Sequence, residues 1–404
     1  MRVKLPEKSV EAYRKVVGEY VDALREEARD LKGLKVIHVN STAYGGGVAE
    51  LLKSLVPLMR SLGLKAEWEV IEAPDEFFNV TKKIHNGLQG GEVTITEEEW
   101  SLYEKVNEKN AKMLDLSADV VIIHDPQPAM IPCFLDNGGK WIWRCHIDLS
   151  NPNKDLWERF KGYLVKYDRM LFHLKDYIKE EFAHISRIFP PSIDPISDKN
   201  KEIEEKTISH VLEKYGIKRD KKTITVVARF DPWKDLIGAI DVYRSVKEKV
   251  DVQLLIVSAM ASDDPEGWIF FEKVARHAGE DEDIHFLTNI KGVGDIEVNV
   301  FQRIADLGLH TATREGFGLV ISEIMWKEKP VVGRPAGGVK IQVDDGVNGY
   351  LVWDVDELAA KALDLLQNDE KRYYMGKKAK EKVKEKFLIT SHLMRYLKVF
   401  KEVL

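Results

Sequence analysis

A chain of 404 residues is too long for one ordinary core and fits two domains of roughly 200 residues each. With 44% hydrophobic and 32% charged residues and a formal charge of -6, its Lys and Arg are interleaved with Asp and Glu, which excludes a basic face that gathers nucleic acid. Cys133 and Cys145 lack metal-ligand spacing and no apolar run reaches the ~20 residues of a membrane span, so a cytoplasmic protein with free thiols, no membrane and no nucleic-acid partner is expected. The wealth of Glu and Lys suits a thermophile's surface ion pairs.

Val10, Tyr13, Val17, Tyr20, Val21 and Leu24 recur at helical spacing and predict one packing helix over the first thirty residues. A strand Lys35-Val-Ile-His-Val-Asn40, a glycine run Gly45, Gly46 and Gly47, and an amphipathic helix kinked at Pro57 then open a doubly wound α/β domain. Strands follow at Val120-His124, Lys140-His146 and Arg169-His173, each a short apolar run of the kind buried on both faces of a parallel sheet. A polar stretch, Ser197-Lys206, reads as a boundary. The alternation restarts with strands at Thr223-Ala228, Val252-Val257, Ile284-Leu287, Leu307-Thr311, Pro330-Val332 and Gly349-Trp353, before a helical tail. The fold class is therefore α/β, two Rossmann-like doubly wound domains at 1–200 and 201–385 that face a central cleft, with a helix at 386–404 crossing back to the first.

Arg314-Glu-Gly-Phe-Gly-Leu-Val-Ile-Ser-Glu323 is the most specific stretch. A strand precedes it, and free N–H groups at a helix start around Gly316, Phe317, Gly318 and Leu319 suit a phosphate or sugar oxygen. Glu315 then sits at the ligand's sugar end, with Glu323 about two turns along the helix. The alternative is a glycine turn with two solvated glutamates. In Ala228-Arg-Phe-Asp-Pro-Trp-Lys234, Arg229 and Lys234 follow a strand at its carboxyl end, where two cations match a diphosphate that gains charge as its bond to sugar breaks. Ordinary surface charges are the alternative there, against the preference of a helix start for anions.

The pair Arg229 and Lys234, followed by Glu315 with seven residues between it and Glu323, resembles the donor site of the retaining family four of GT-B glycosyltransferases. His124-Asp-Pro-Gln-Pro128, Arg144-Cys-His-Ile-Asp-Leu149, Phe230-Asp-Pro-Trp-Lys234, Asp263-Asp-Pro-Glu-Gly267, Trp326 and Gly337-Gly-Val-Lys-Ile-Gln342 are similar to its archaeal trehalose-synthase branch. The resemblance implies retaining transfer of glucose from a nucleoside diphosphate glucose to free glucose, giving trehalose. It makes the first domain the acceptor domain and the second the donor domain. It also assigns Gly46 and Gly47 to the donor, Glu315 to the donor glucose hydroxyls, Glu323 to the ribose, and His146 to the donor sugar beside its reacting carbon. Arg229 and Lys234 stabilise the leaving diphosphate.

Arg144, His146 and Asp148 alternate, so in a strand they share one face. With Tyr44 and the polar pair His124 and Asp125, Arg144 and Asp148 are read as acceptor-side groups, and Trp141 and Trp143 as a ring face for a sugar if they point inward. His38, His173, His184 and His285 carry no such context. Asp281-Glu-Asp283 is read as a solvated loop, and no metal site is expected. The partners are small-molecule substrates, with a homodimer left open; no tightly bound cofactor is expected, nucleoside diphosphate glucose is the co-substrate, and Mg2+ stimulation is open. Departures from the family pattern at Ser258, Ala259 and Ala312 keep a weakly active sugar-nucleotide-binding protein in view, beside a transferase with a sugar phosphate, nucleoside or lipid acceptor. A dehydrogenase would need a G-x-G-x-x-G turn that the glycine run does not supply.

Overall fold

The computed structural model describes residues 1–44, 46–136, 138–260 and 265–404. They divide into two compact units, Met1–Ser192 with Ile389–Leu404, and Ile193–Leu388. Gly45 and the Asp263-Asp264 pair lie outside the described residues. Each unit carries a six-stranded parallel sheet with helical crossovers, the α/β architecture expected.

In the first unit the strands are β1 (Lys35–Asn40), β2 (Lys65–Val70), β3 (Val120–His124), β4 (Lys140–Arg144), β5 (Arg169–Phe172) and β6 (Ser186–Ile188), in the order β2-β1-β3-β4-β5-β6. β3 is buried at every position, as its Val and Ile run requires. The sheet order reverses between β1 and β3, so the loops after them flank the crevice at the strands' carboxyl ends. The single N-terminal helix splits into Val10–Tyr13, Arg14–Val17 and Tyr20–Ala28, because Gly18 takes a left-handed φ of 58°. Pro57 lies inside the helix Gly46–Ser61. The last helix, Ile389–Val403, belongs to this unit and rests against Tyr20–Ala28 and Gly46–Ser61.

The second unit has β7 (Lys222–Val227), β8 (Val252–Ser258), β9 (Ile284–Thr288), β10 (Leu307–His310), β11 (Val331–Gly333) and β12 (Gly349–Leu351), in the order β12-β11-β10-β7-β8-β9. Here the order reverses between β7 and β10, whose following loops carry Arg229, Lys234 and Glu315. The polar Ser197–Lys206 stretch is no free linker. Asn200 is buried and accepts from Lys327 Nζ at 3.0 Å, and Asn299 Nδ2 donates to the carbonyls of Asp198 and Lys201. Those bonds hold the stretch inside the second unit, so the divisions fall after Ser192 and Leu388 and not at residues 200 and 385.

Candidate functional site

In the second unit, β7 ends at Val227 and its loop closes in a 3-10 turn, Pro232–Lys234, capped by Asp231, whose Oδ1 accepts from Trp233 N at 2.9 Å. Asp235, at a left-handed φ of 46°, turns the chain into the helix Leu236–Lys247. The β10 loop lies against this turn. Thr313 N donates to Trp233 O at 2.8 Å, Thr311 Oγ1 to the carbonyls of Lys234 and Asp235, and Arg314 stacks on the Trp233 ring at 4.2 Å. Buried Arg334 adds a clamp, donating to Asp235 Oδ2 at 2.6 Å and Thr311 O at 2.5 Å.

The two loops bring Lys234 and Glu315 together, Nζ to Oε2 at 2.8 Å, with His310 Nε2 at 3.3 Å from the same oxygen. Burial alone would raise the Glu315 carboxyl, yet His310 and the Lys234 charge outweigh it and pull it down to about 2. The polar residue that ends β10 is thereby explained: His310 is the second partner of Glu315. Arg229 stands apart from this pair. Its side chain is 72% exposed and its nearest acid is Asp231 at 3.7 Å.

Gly318 starts the helix Leu319–Trp326 at a left-handed φ of 79°, where a Cβ would press on Glu315 Cγ at 3.2 Å. The Gly316-Phe317-Gly318 carbonyls are pinned by Gln342 Nε2 at 2.6 Å to Phe317 O and 3.3 Å to Gly318 O, and by Gly338 N to Gly316 O. Because the helix begins at Leu319, Glu323 sits little more than one turn inside it, and not two. It is buried, and its Oε2 accepts from Gln302 Nε2 at 2.9 Å. Lys327, one turn further, donates to Glu323 O and Asn200, and burial lowers it to about 7. The sequence alone gives no role to Gln302, His310 or Arg334, and Gln342 stands in it only as the end of the Gly337-Gly-Val-Lys-Ile-Gln342 motif.

In the first unit β4 stops at Arg144, so the alternation does not carry Arg144, His146 and Asp148 onto one face. Arg144 is fully buried, lies 5.1 Å from the Phe189 ring centre and has none of its guanidinium nitrogens hydrogen-bonded to another described residue. Burial lowers it to about 10. His146 and Asp148 are half-buried in the loop beyond. Asp125 takes a left-handed φ of 64°; its Oδ1 accepts from His146 N at 2.8 Å, and burial raises it to about 7.

His38 and His173, set aside in the sequence, join His124 and His146 in one cluster. His38 Nδ1 meets His124 Nε2 at 2.9 Å, His124 Nδ1 meets His146 Nε2 at 2.9 Å, and His173 sets its ring edge-on to His146 at 5.5 Å. Trp141 and Trp143 are core residues, Trp143 Nε1 donating to Asp125 O at 3.0 Å, so neither offers a sugar a ring face. Tyr44 is exposed, with Lys53 Nζ 5.9 Å from its ring centre, and Gly46 and Gly47 begin the helix Gly46–Ser61. The Asp281-Glu-Asp283 loop is more than solvated: Lys247 Nζ lies 2.6 Å from Asp281 and 3.1 Å from Asp283. Among the described residues no His, Cys, Asp and Glu group is arranged to hold a metal ion, and no helix is long and apolar enough to cross a membrane.

Residues 38–179 match the family model for the trehalose synthase N-terminal domain, and residues 209–382 match that of the glycosyl transferases group 1. The chain is 52% identical over 395 residues to the trehalose synthase of Thermococcus litoralis, covering 96% of each chain. It is 42% identical to that of Rubrobacter xylanophilus, covering 100% of this chain and 99% of the relative. Among solved structures, an E. coli trehalose-6-phosphate protein bound with UDP-2-fluoro glucose aligns with a TM-score of 0.73 at 15% identity, over 92% of this chain and 99% of that one, and so shares its fold. Two parallel sheets of this order with such neighbours make the fold GT-B. The chain belongs to the trehalose synthase family of glycosyltransferases.

Proposed function

We propose that the chain makes trehalose by moving glucose from a nucleoside diphosphate glucose to free glucose, with retention at the anomeric carbon, as a member of glycosyltransferase family four. The observation that carries the reading is the Lys234–Glu315–His310 group at the start of a glycine-capped helix. A lysine with three donors, one of them given to Glu315, has others for a diphosphate, and the helix's first N–H groups add to it. The bond from the anomeric carbon to the diphosphate oxygen breaks and its electron pair stays on the diphosphate, held by Lys234, Arg229 and the helix start at Gly318 and Leu319. The acceptor hydroxyl oxygen bonds to the same carbon on the same face, and its proton passes to the departing oxygen. No protein nucleophile takes part. Glu315 orients the glucose hydroxyls, Gly46 and Gly47 border the donor, and His146 donates to the donor sugar. The E. coli relative's UDP-2-fluoro glucose, a nucleoside diphosphate sugar, supports this donor class.

Free glucose fits the acceptor side better than a sugar phosphate, because a phosphate dianion calls for clustered or bidentate cations. Arg144 is buried, Arg60 Nε is given to Ala66 O at 2.7 Å, and the cation beside Tyr44 is Lys53. Tyr44, Asp125 and Asp148 are the hydroxyl partners proposed here; His124, buried with both ring nitrogens on neighbouring histidines, is not one of them. The test offers glucose and glucose 6-phosphate at equal concentration with several nucleoside diphosphate glucoses, with and without Mg2+, followed by chromatography of the products. Trehalose is the main product expected. A phosphorylated disaccharide overturns the acceptor, and binding without turnover overturns the reaction.

Glu323→Ala weakens binding of the nucleoside diphosphate by about tenfold or more, the scale of a charged hydrogen bond to a ribose hydroxyl. Calorimetry with nucleoside diphosphate alone reads it. Gln302→Leu keeps the carboxylate and frees it from its protein partner, so it separates loss of the ribose contact from loss of local packing. Affinity in Glu323→Ala equal to that of the unsubstituted protein removes the ribose role.

A further inference from the structure

Three imidazoles form a file from the core of the first unit to its carboxyl-end loops. His38 projects from β1 and His124 from the end of β3; the register pairs His38 with Ile122, so both side chains stand on one face of the sheet. His146 follows β4. The rings stack, at 5.2 Å between His38 and His124 and 5.3 Å between His124 and His146, and each neighbouring pair shares one nitrogen-to-nitrogen contact of 2.9 Å. His38 and His124 are fully buried, whereas His146 is half-buried.

A contact between two neutral imidazoles needs one N–H and one bare nitrogen, so the file has only two self-consistent arrangements. In one, every Nδ1 carries the proton: His38 donates to His124, His124 donates to His146, and His146 is left with Nδ1–H free for a ligand. In the other, every Nε2 carries it, and His146 offers a bare Nδ1. The buried end decides. His38 Nε2 has no hydrogen-bond partner among the described residues. A buried N–H without an acceptor is the rarer and costlier defect, while a bare ring nitrogen leaves only a lone pair unfilled. Proton addition to the file is opposed from several sides: burial is the leading cause, and the Arg144 charge lowers both His124 and His146. The groups around the file are Arg144 on β4, Asp125 after β3, His173 after β5, and His392, Arg395 and Tyr396 on the last helix. Asp125 is opposite in sign to Arg144 and Arg395; its Oδ1 accepts the His146 backbone N–H, and burial raises it to about 7.

We propose that His38 and His124 are positioning residues that lock His146 as its Nδ1–H tautomer, so that His146 meets a substrate only as a neutral hydrogen-bond donor. The choice is not trivial, since a free neutral histidine side chain in water favours the opposite tautomer. A sugar hydroxyl or ring oxygen can take that N–H, and His146 so held cannot act as a general base towards the acceptor through Nδ1. This rests on the reading that His146 faces the transferred sugar; the tautomer itself does not.

The test is nitrogen NMR of the full chain labelled with 15N only in histidine, at pH 7.5, with His146 assigned by the signals lost in His146→Gln. The expected spectrum has His38, His124 and His146 each protonated on Nδ1 and bare on Nε2. His38→Leu removes the first donor and lets His146 relax to a mixture, while His38→Asn, whose amide places an N–H near the old Nδ1, restores the wild-type pattern. In product assays His38→Leu lowers kcat by about tenfold, the scale of one hydrogen bond, and His38→Asn recovers most of it. A wild-type His146 protonated on Nε2, or a mixture, overturns the proposal whether or not any variant folds. A His38→Leu protein whose His146 stays locked on Nδ1 overturns the positioning role of His38, and one whose His146 has relaxed with kcat unchanged leaves the tautomer standing and overturns the reading that His146 touches the sugar.

Discussion

Lys234→Ala lowers kcat for glucosyl transfer by about 100- to 1,000-fold, the usual loss when one preorganised donor to developing charge is removed. In the proposed reaction the diphosphate gains negative charge as its bond to glucose breaks, so the lysine's stabilisation is largest in the transition state and falls on kcat more than on donor affinity. The structure adds a cost that a bare pair of cations on a loop would not carry. Lys234 and Glu315 are both largely buried, at 16% and 13% side-chain exposure, so removing the lysine leaves a carboxylate with His310 alone and destabilises the second unit as well. The double variant Lys234→Ala with Glu315→Gln isolates the stability cost. It recovers stability, because no unpaired charge remains, while its rate stays low because the group that orients the glucose hydroxyls is lost as well. Arg229→Ala, at an exposed position, loses rate with no change in unfolding. Steady-state kinetics beside thermal unfolding of all three variants read these outcomes, and a Lys234→Ala enzyme with full kcat removes the lysine from the diphosphate.

The frame of both units was legible because β1, β3, β7 and β8, at the centre of their sheets, are short runs rich in Val and Ile, which only a sheet covered on both faces makes stable. β2 was missed for the converse reason: Lys65-Ala-Glu-Trp-Glu-Val70 mixes charges into an edge strand, two of which, Glu67 and Glu69, meet Arg2. β6 has three residues, too few for a period. Arg229, Lys234 and Glu315 could be found because glycines, a strand end and charges coincide in the sequence. That Lys234 and Glu315 pair with each other could not, since it depends on β7 and β10 being neighbours while lying far apart in the chain. His38 shows the same limit. Within β1 it reads as one polar residue among apolar ones, and only the β1–β3 register brings it to His124.

The buried histidines make the first unit lose stability in weak acid, and the sign follows from which state binds more protons. His38, His124 and His392 are buried, and burial depresses all three, His38 to about 3 and the other two well below the ordinary value. Unfolded histidine takes up a proton near pH 6.5, so as pH falls through that value the unfolded chain binds protons that the folded chain refuses. Stability is held above about pH 6.5 and lost below it, by about 1.4 kcal/mol per histidine between pH 7.5 and 5.5, or about 4 kcal/mol for three. His146 adds in the same direction. Asp125 works the other way: raised to about 7, it takes up a proton in the folded state over the same range and returns up to about 2 kcal/mol. The net loss expected is therefore about 2 kcal/mol or somewhat more. Asp125→Asn keeps an acceptor for His146 N but cannot titrate, so its loss between pH 7.5 and 5.5 rises towards the full ~4 kcal/mol. Denaturant unfolding of both proteins across this range, followed by tryptophan fluorescence, measures the two slopes. Stability that stays level from pH 7.5 to 5.5 in Asp125→Asn means that the folded histidines take up protons as readily as the unfolded ones, and the neutral file is then wrong.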